Sequence, residues 1–285
     1  MRSVATIQEH GANKAAVNVL ANSLLSWTKI LGATGSTGAA TLHYLLEAPP
    51  EDLRINIFVR NKAKLLSAFP QLEKITSPEI HIYVAPITDR ETLTECLRGA
   101  EVIYNCIADN RSKRGMDIAQ QGAAGIIGAL KRLKTEDLEE PPVVLVNRTM
   151  FYNETIDNDM SAFERKIAKF FLYFPYTDIK KAELLYRHEA EQPKPIFDYI
   201  LMDGPGLHDS VNMERTGHKL VLTHEKVGKE LNYADFGAAW VEAGSRKKEL
   251  RNREVAVGPT GKVRTEYSVL LGYLWQGLLA HIIPW

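Results

Sequence analysis

Short apolar runs rich in Ile and Val alternate along the chain with stretches whose apolar residues recur every three or four positions. The first pattern fits strands buried on both faces and the second fits helices with one buried face, so the alternation predicts βαβ units around a parallel sheet. Strands are predicted over 27–31, 54–59, 80–84, 101–106, 142–147, 196–202 and 254–257, and helices over 37–47, 90–98, 114–133, 178–190 and 234–243. Right-handed crossovers then give an α/β, doubly wound parallel sheet, whose ligands sit just beyond the carboxyl ends of the strands. The run KTEDLEEPP at 134–142 reads as a solvated loop, and SRKKELRNRE at 245–254, mixing both signs at helical spacing, reads as a solvated face.

The two ends stand apart from this pattern. Residues 1–25 carry no long apolar core and read as an N-terminal extension, leaving 26–285 as one domain whose substrate-covering segments fall mainly after 150. In the tail, Leu270, Leu271, Leu274, Leu278 and Ile282 recur at helical spacing, predicting a helix that packs on the domain or lines a substrate pocket. Contact within a homodimer and association with a membrane surface are its other readings.

Composition narrows the function classes. Lys plus Arg and Asp plus Glu are each 35, so no overall field draws in nucleic acid, and a polyanion must be held by a local site. No run approaches the roughly 20 apolar residues that span a bilayer. The two cysteines, Cys96 and Cys106, form neither a CxxC pair nor a Cys/His cluster; no metal site is expected, and a reducing, cytoplasmic setting fits.

The candidate chemistry begins at KILGATGSTGAATLHYLL, residues 29–46. Gly32, Gly35 and Gly38 lie between a predicted strand and a predicted helix, where glycines permit a sharp turn and a close backbone approach to a pyrophosphate. Thr34, Ser36 and Thr37 add hydroxyl donors. The same spacing in GAAGIIG at 122–128 follows helical sequence rather than a strand, so those glycines are read as permitting close helix packing. The second strand ends in VRNKAK, where Arg60, with Asn61 and Lys64, offers a guanidinium suited to a ribose 2′-phosphate; this favours NADP(H) over NAD.

With GATGSTG, the VRNKAKL continuation and the later strand spacing, the chain resembles the atypical short-chain dehydrogenase/reductases with NmrA-like NAD(P)-binding domains, over nearly everything after the extension. Within that group it looks most like the averufin-oxidase-like proteins of fungal polyketide biosynthesis. The resemblance implies a Rossmann-like fold and an NADP-dependent oxidoreductase acting on a hydrophobic, oxygenated small molecule such as an aromatic polyketide. It implies a Tyr-x-x-x-Lys pair, here Tyr176 and Lys180, in which the lysine also holds the nicotinamide ribose and the tyrosine exchanges a proton with substrate. Thr149 stands where relatives keep a hydroxyl, and Arg148, which with Asn147 replaces their paired serines, is a candidate for binding an enolate or phenolate oxygen. Ala108 and Asn110 match the loop flanking the nicotinamide, with a helix cap before 114–133 as the other role for Asn110. Pro205 and Gly206 match the family's Pro-Gly loop. His208 and Asp209 are conceivable acid/base groups, although an exposed loop histidine is the plainer reading. Two further readings stay open: a non-redox isomerase or cyclase on the same scaffold, motivated by Asn147 and Arg148, and a dinucleotide-sensing regulator without turnover.

Overall fold

The computed structural model describes residues 27–283 apart from 50–51, 134–139, 154–155, 157–158, 224 and 265–266. The extension 1–25 and most of the 134–142 loop therefore lie outside the described residues. In chain order come β1 (Trp27–Leu31), α1 (Ser36–Glu47), β2 (Arg54–Val59), α2 (Lys62–Ala68), β3 (Glu79–Val84), α3 (Arg90–Leu97), β4 (Val102–Asn105), α4 (Ile118–Leu133) and β5 (Val143–Thr149). Then follow α5 (Ala162–Phe171), α6 (Tyr173–Ala190), β6 (Asp198–Gly204), β7 (Gly206–His208), β8 (His218–Val221), β9 (Glu230–Asn232), α7 (Tyr233–Ser245), α8 (Lys247–Leu250), β10 (Arg253–Pro259) and α9 (Tyr267–Ile282).

Eight strands form one sheet in the order β3-β2-β1-β4-β5-β6-β10-β8, and β7 pairs with β9 in a small second sheet. Seven strands of the large sheet run parallel, as the apolar runs predict, but β8 is antiparallel to β10. The reason is the connection: no α-helix separates β7 from β8, so the chain leaves the carboxyl edge and runs back down the sheet. The order reverses direction between β1 and β4, which opens the crevice expected of a doubly wound sheet at that edge.

The sheet is buried on both faces. On one side Leu42 and Leu45 of α1 and Phe236 and Trp240 of α7 pack over Ile30 and Tyr104. On the other, Leu93 of α3, Ala123 and Ile126 of α4, and Ile179 and Tyr186 of α6 pack over Leu31 and Ile103. Small residues bring helices together: a Cβ on Gly125, in the second glycine repeat, would lie 3.0 Å from Leu93 and 3.3 Å from the Ile87 carbonyl.

Several boundaries differ from the sequence reading for identifiable reasons. Helix α4 begins at Ile118 rather than 114, because Gly115 turns at φ +69 and the buried carboxylate of Asp178 accepts from the Ala119 and Gln120 amides at the helix start. Helix α6 begins at Tyr173 rather than 178, since Pro175 falls in the first turn, where its missing N–H costs nothing. Helices α2 and α5 were not foreseen, although Ser161 and Glu164 form a complete capping box before α5. Strands β7, β8 and β9, of three, four and three residues, are too short to show a period. The 245–254 run also departs from a plain solvated face: α8 inserts Leu250 into the core and pairs the buried Lys247 with Glu101 at 2.8 Å.

The tail forms α9, and its packing is specific. Gly277 lies so close to the Phe171 carbonyl that no Cβ fits. His281 stacks on Phe170 at 4.3 Å and donates from Nε2 to the Phe170 carbonyl at 2.8 Å. Arg114 donates to the carbonyls of Ala280, at 2.8 Å, and His281. Leu274 and Leu278 are partly buried, Leu271 and Ile282 are exposed, and the side chain of Leu270 lies outside the described residues. No described helix is long and apolar enough to cross a membrane.

Candidate functional site

The β1–α1 turn rises at the crevice, and its three glycines do three different things. Gly32 turns at φ +83, and a Cβ there would meet the Cys106 carbonyl oxygen at 2.9 Å, so this position admits only glycine. A Cβ on Gly38 would be driven into the Gly32 carbonyl, which fixes how closely α1 leans on the turn. Around Gly35 the nearest atom, the Gly32 carbonyl oxygen, is 3.5 Å from a Cβ, and the residue is exposed. Gly35 is also the N-cap of α1; no side chain caps the helix and no acidic residue occupies its first turn. Thus the turn is closed by packing at its two ends and open in the middle, where uncapped amides carry the positive end of the helix dipole. Ser36 is exposed, Thr34 half-buried and Thr37 buried. This set fits a pyrophosphate, which needs amide donors, close backbone approach and no competing carboxylate.

Beyond β2, Arg60 and Lys64 are exposed, while Asn61 accepts from the Lys64 amide at 2.9 Å and caps α2. Arg60 faces the loop after β4, where Asp109 is chelated by Arg111 at 2.6–3.1 Å. Burial alone would raise the Asp109 carboxyl, but its bonds to Arg111, with the Arg60 charge behind, hold it below the usual carboxylate range. Ala108 is half-buried in the same loop. Asn110 does not cap the following helix, which starts eight residues later; its amide donates to the Tyr233 hydroxyl at 3.4 Å. Ser36, Tyr273 of α9 and Asp209 lie close enough to influence the Tyr233 phenol. Sequence reading missed Tyr233 because it sits at the start of α7, remote in sequence from every motif; its one signal is Asn232, which caps that helix.

The second cluster lies at the carboxyl ends of β5 and β6. Tyr176 and Lys180, four residues apart on α6, share a face. The Tyr176 ring lies against Phe151 with centroids 5.1 Å apart. Thr149 ends β5, is buried, and its hydroxyl oxygen accepts from the Phe151 amide at 3.4 Å. Lys180 donates to Glu183 at 3.1 Å.

Arg148 is the clear correction. Instead of facing a substrate oxygen, its guanidinium is buried and chelates Asp203 at 2.6 and 2.5 Å, while also bonding Glu183 at 3.2 Å and Glu254 at 2.6 Å. A buried guanidinium must spend its donors on carboxylates, and here three carboxylates take them. Arg187 joins the same network, donating to Glu183 at 2.8 Å and Glu254 at 2.5 Å. Burial raises Asp203 despite its bonds to Arg148 and Asn153. Glu183, which burial would also raise, is held low by the hydrogen bond from Arg187 and the charges of Arg148 and Lys180. The network thus anchors Lys180 through Glu183 rather than supplying a free cation.

On the other side of β6, Pro205 is buried, and Gly206 donates its amide to the Lys229 carbonyl at 2.9 Å as β7 pairs with β9. His208 corrects the exposed-loop reading: it lies in β7 with only a tenth of its side chain exposed, its Nε2 4.0 Å from Glu230. Asp209 is exposed. Among the described residues no three His, Cys, Asp or Glu side chains are grouped to hold a metal ion, and both cysteines are free and buried.

Comparison with known proteins agrees with this geometry. A family profile described as NAD(P)H-binding matches residues 32–242. Averufin oxidase A of Aspergillus flavus is 39% identical over 250 residues, covering 87% of this chain and 88% of that protein. The averufin oxidase stcO of Emericella nidulans is 36% identical, covering 89% of each. Among solved structures, a short-chain dehydrogenase/reductase of Veillonella parvula in complex with NADP superposes with a TM-score of 0.61 at 16% identity, covering 82% of this chain and 95% of that one.

Proposed function

This chain belongs to the NAD(P)H-binding family, and from that membership we propose that it is an NADP(H)-dependent oxidoreductase acting on a hydrophobic, oxygenated secondary metabolite of the aromatic polyketide class. The observation that carries the reading is the turn at Gly35: it alone of the three glycines is exposed and would let a Cβ in without a clash, at a helix start that no side chain caps. The names of the averufin oxidases support the substrate class. Arg60 and Lys64, both exposed past β2, support the 2′-phosphate, and Arg111 satisfies the Asp109 charge that would otherwise oppose it.

When bound, the cofactor supplies or accepts a hydride. The chain's own residues then manage the proton and the substrate oxygen. Tyr176 gives its phenolic proton to that oxygen in reduction, or takes it in oxidation. Lys180 stabilises the phenolate that results, and Glu183 holds the ammonium in place. Phe151 restricts the Tyr176 ring, and Thr149 both braces the Phe151 amide and offers its hydroxyl proton to the same oxygen. Helix α9, fastened by Arg114 and His281, is the segment that covers the substrate in this reading, on the strength of its apolar sequence. The isomerase reading loses its motive once Arg148 is committed to Asp203 and Glu254.

The test is turnover of NADPH by the purified protein against a panel of quinones and anthraquinones. Loss of nicotinamide absorbance in wild type, falling at least 100-fold in Tyr176→Phe with nucleotide affinity retained, is the expected result. Tight binding with no turnover of any panel member would move the assignment to a sensor, and turnover unchanged in Tyr176→Phe would remove the tyrosine.

A further inference from the structure

The α1 helix start and the loop after β4 form two walls of one crevice, and the Tyr233 side chain reaches both. Its hydroxyl lies close enough to Ser36 on the first wall for that residue to influence it, and accepts from the Asn110 amide, at 3.4 Å, on the second. Tyr233 reaches this place because Asn232 caps α7 by accepting from the Asp235 amide at 2.6 Å, which fixes the first turn of that helix. The helix is itself pressed onto α1: a Cβ on Gly237 would lie 2.5 Å from Ala40. The hydroxyl is therefore held in register with the exposed, uncapped amides at Gly35 and Ser36.

We propose that Tyr233 is a further dinucleotide-binding residue, its hydroxyl donating to the pyrophosphate seated on the α1 helix start. The inference rests on the nucleotide-binding reading above. Chemically the group is suited to the task. The Asn110 amide is the donor to this hydroxyl, so the phenol receives that bond on a lone pair and keeps its own proton to give to an anion. Burial, reinforced by the neighbouring Tyr273 and Asp209, pushes the phenol up to about 12, so it enters the site as a neutral donor and not as a competing anion. Tyr273 of α9 lies close enough to influence both Arg111 and Tyr233, so α9 brings a second phenol toward this end of the crevice.

The test is a double-mutant cycle read by calorimetric titration of the full chain with NADPH and ADP-ribose. Wild type, Tyr233→Phe, Ser36→Ala and the double variant are compared, with thermal melts of each unliganded protein as a folding control. A hydrogen bond to a charged group predicts that Tyr233→Phe weakens both ligands about tenfold or more, and that the loss persists in the Ser36→Ala background. A 2′,5′-ADP probe, which has no pyrophosphate bridge, is expected to lose less than twofold. Equal affinities for wild type and Tyr233→Phe would overturn the proposal, and so would a loss that vanishes once Ser36 is removed, since Tyr233 would then act only through that serine. If wild type binds neither ligand, the nucleotide-binding reading fails and the role of Tyr233 fails with it, an outcome distinct from wild type and Tyr233→Phe binding equally well. Where Tyr233→Phe melts early, Tyr233→His, which retains a donor, must recover part of the affinity for the proposal to stand.

Discussion

At the scale of single residues, the polar groups that the fold buries divide into those it satisfies and those it does not. Arg148 is of the first kind, and its commitment to Asp203, Glu183 and Glu254 explains how β5 carries a buried arginine. Lys29 is of the second kind. It lies in β1, fully buried; its Nζ has no hydrogen-bond partner, and the Trp27 ring lies 5.0 Å away. Burial lowers its pKa from 10.5 to about 8, against the raising influence of Cys96 and Glu101. A base depressed in the folded state is charged below that value at the expense of the fold, and the penalty disappears as pH rises past the unfolded value. Lys29→Met is therefore expected to stabilise the protein at neutral pH by up to about 3 kcal/mol, with the gain shrinking between pH 8 and 10.5. Denaturant unfolding of both proteins across that range measures it; a gain independent of pH would show that packing, not charge, was responsible.

At the scale of elements, the glycine turn makes a prediction that separates folding from binding. Gly38→Ala forces a Cβ into the Gly32 carbonyl and is expected to lower the melting temperature by several degrees. Gly35→Ala meets no atom nearer than 3.5 Å, so its melting temperature should stay within about two degrees of wild type while nucleotide affinity falls at least tenfold. The reverse ordering would mean that Gly35 serves packing. How much of this could be seen in the sequence follows from the same physics. Strands β1 and β2 match their expected limits because Ile30, Leu31, Ile55 and Ile57 must all be buried, leaving the register no freedom. The glycine turn was legible because its requirements are local to seven residues. Helix α5 escaped notice because none of its residues is fully buried, so its pattern has no deep core side. The antiparallel edge strand β8 depends on a chain reversal after β7 that no short period encodes.

For the whole molecule, the same distinction between local and distant requirements decides what the candidate site revealed in advance. Gly32, Gly35 and Gly38 announce themselves through spacing between a strand and a helix, whereas Tyr176 and Lys180 are singled out by the family resemblance. By contrast, Glu183, Asp203 and Glu254 become partners of Arg148 only when α6, β6 and β10 are brought beside β5, and Tyr233 reaches Ser36 only when α7 folds onto α1. With 35 acidic and 35 basic residues the protein has no overall field to gather an anion, so affinity for a dinucleotide must come from the crevice itself. Calorimetric titration of wild type and Arg60→Ala with NADPH and NADH tests that most directly. The account predicts that wild type binds NADPH at least tenfold more tightly than NADH, and that Arg60→Ala removes this preference while leaving NADH affinity unchanged. An absence of binding heat with either nucleotide would contradict it.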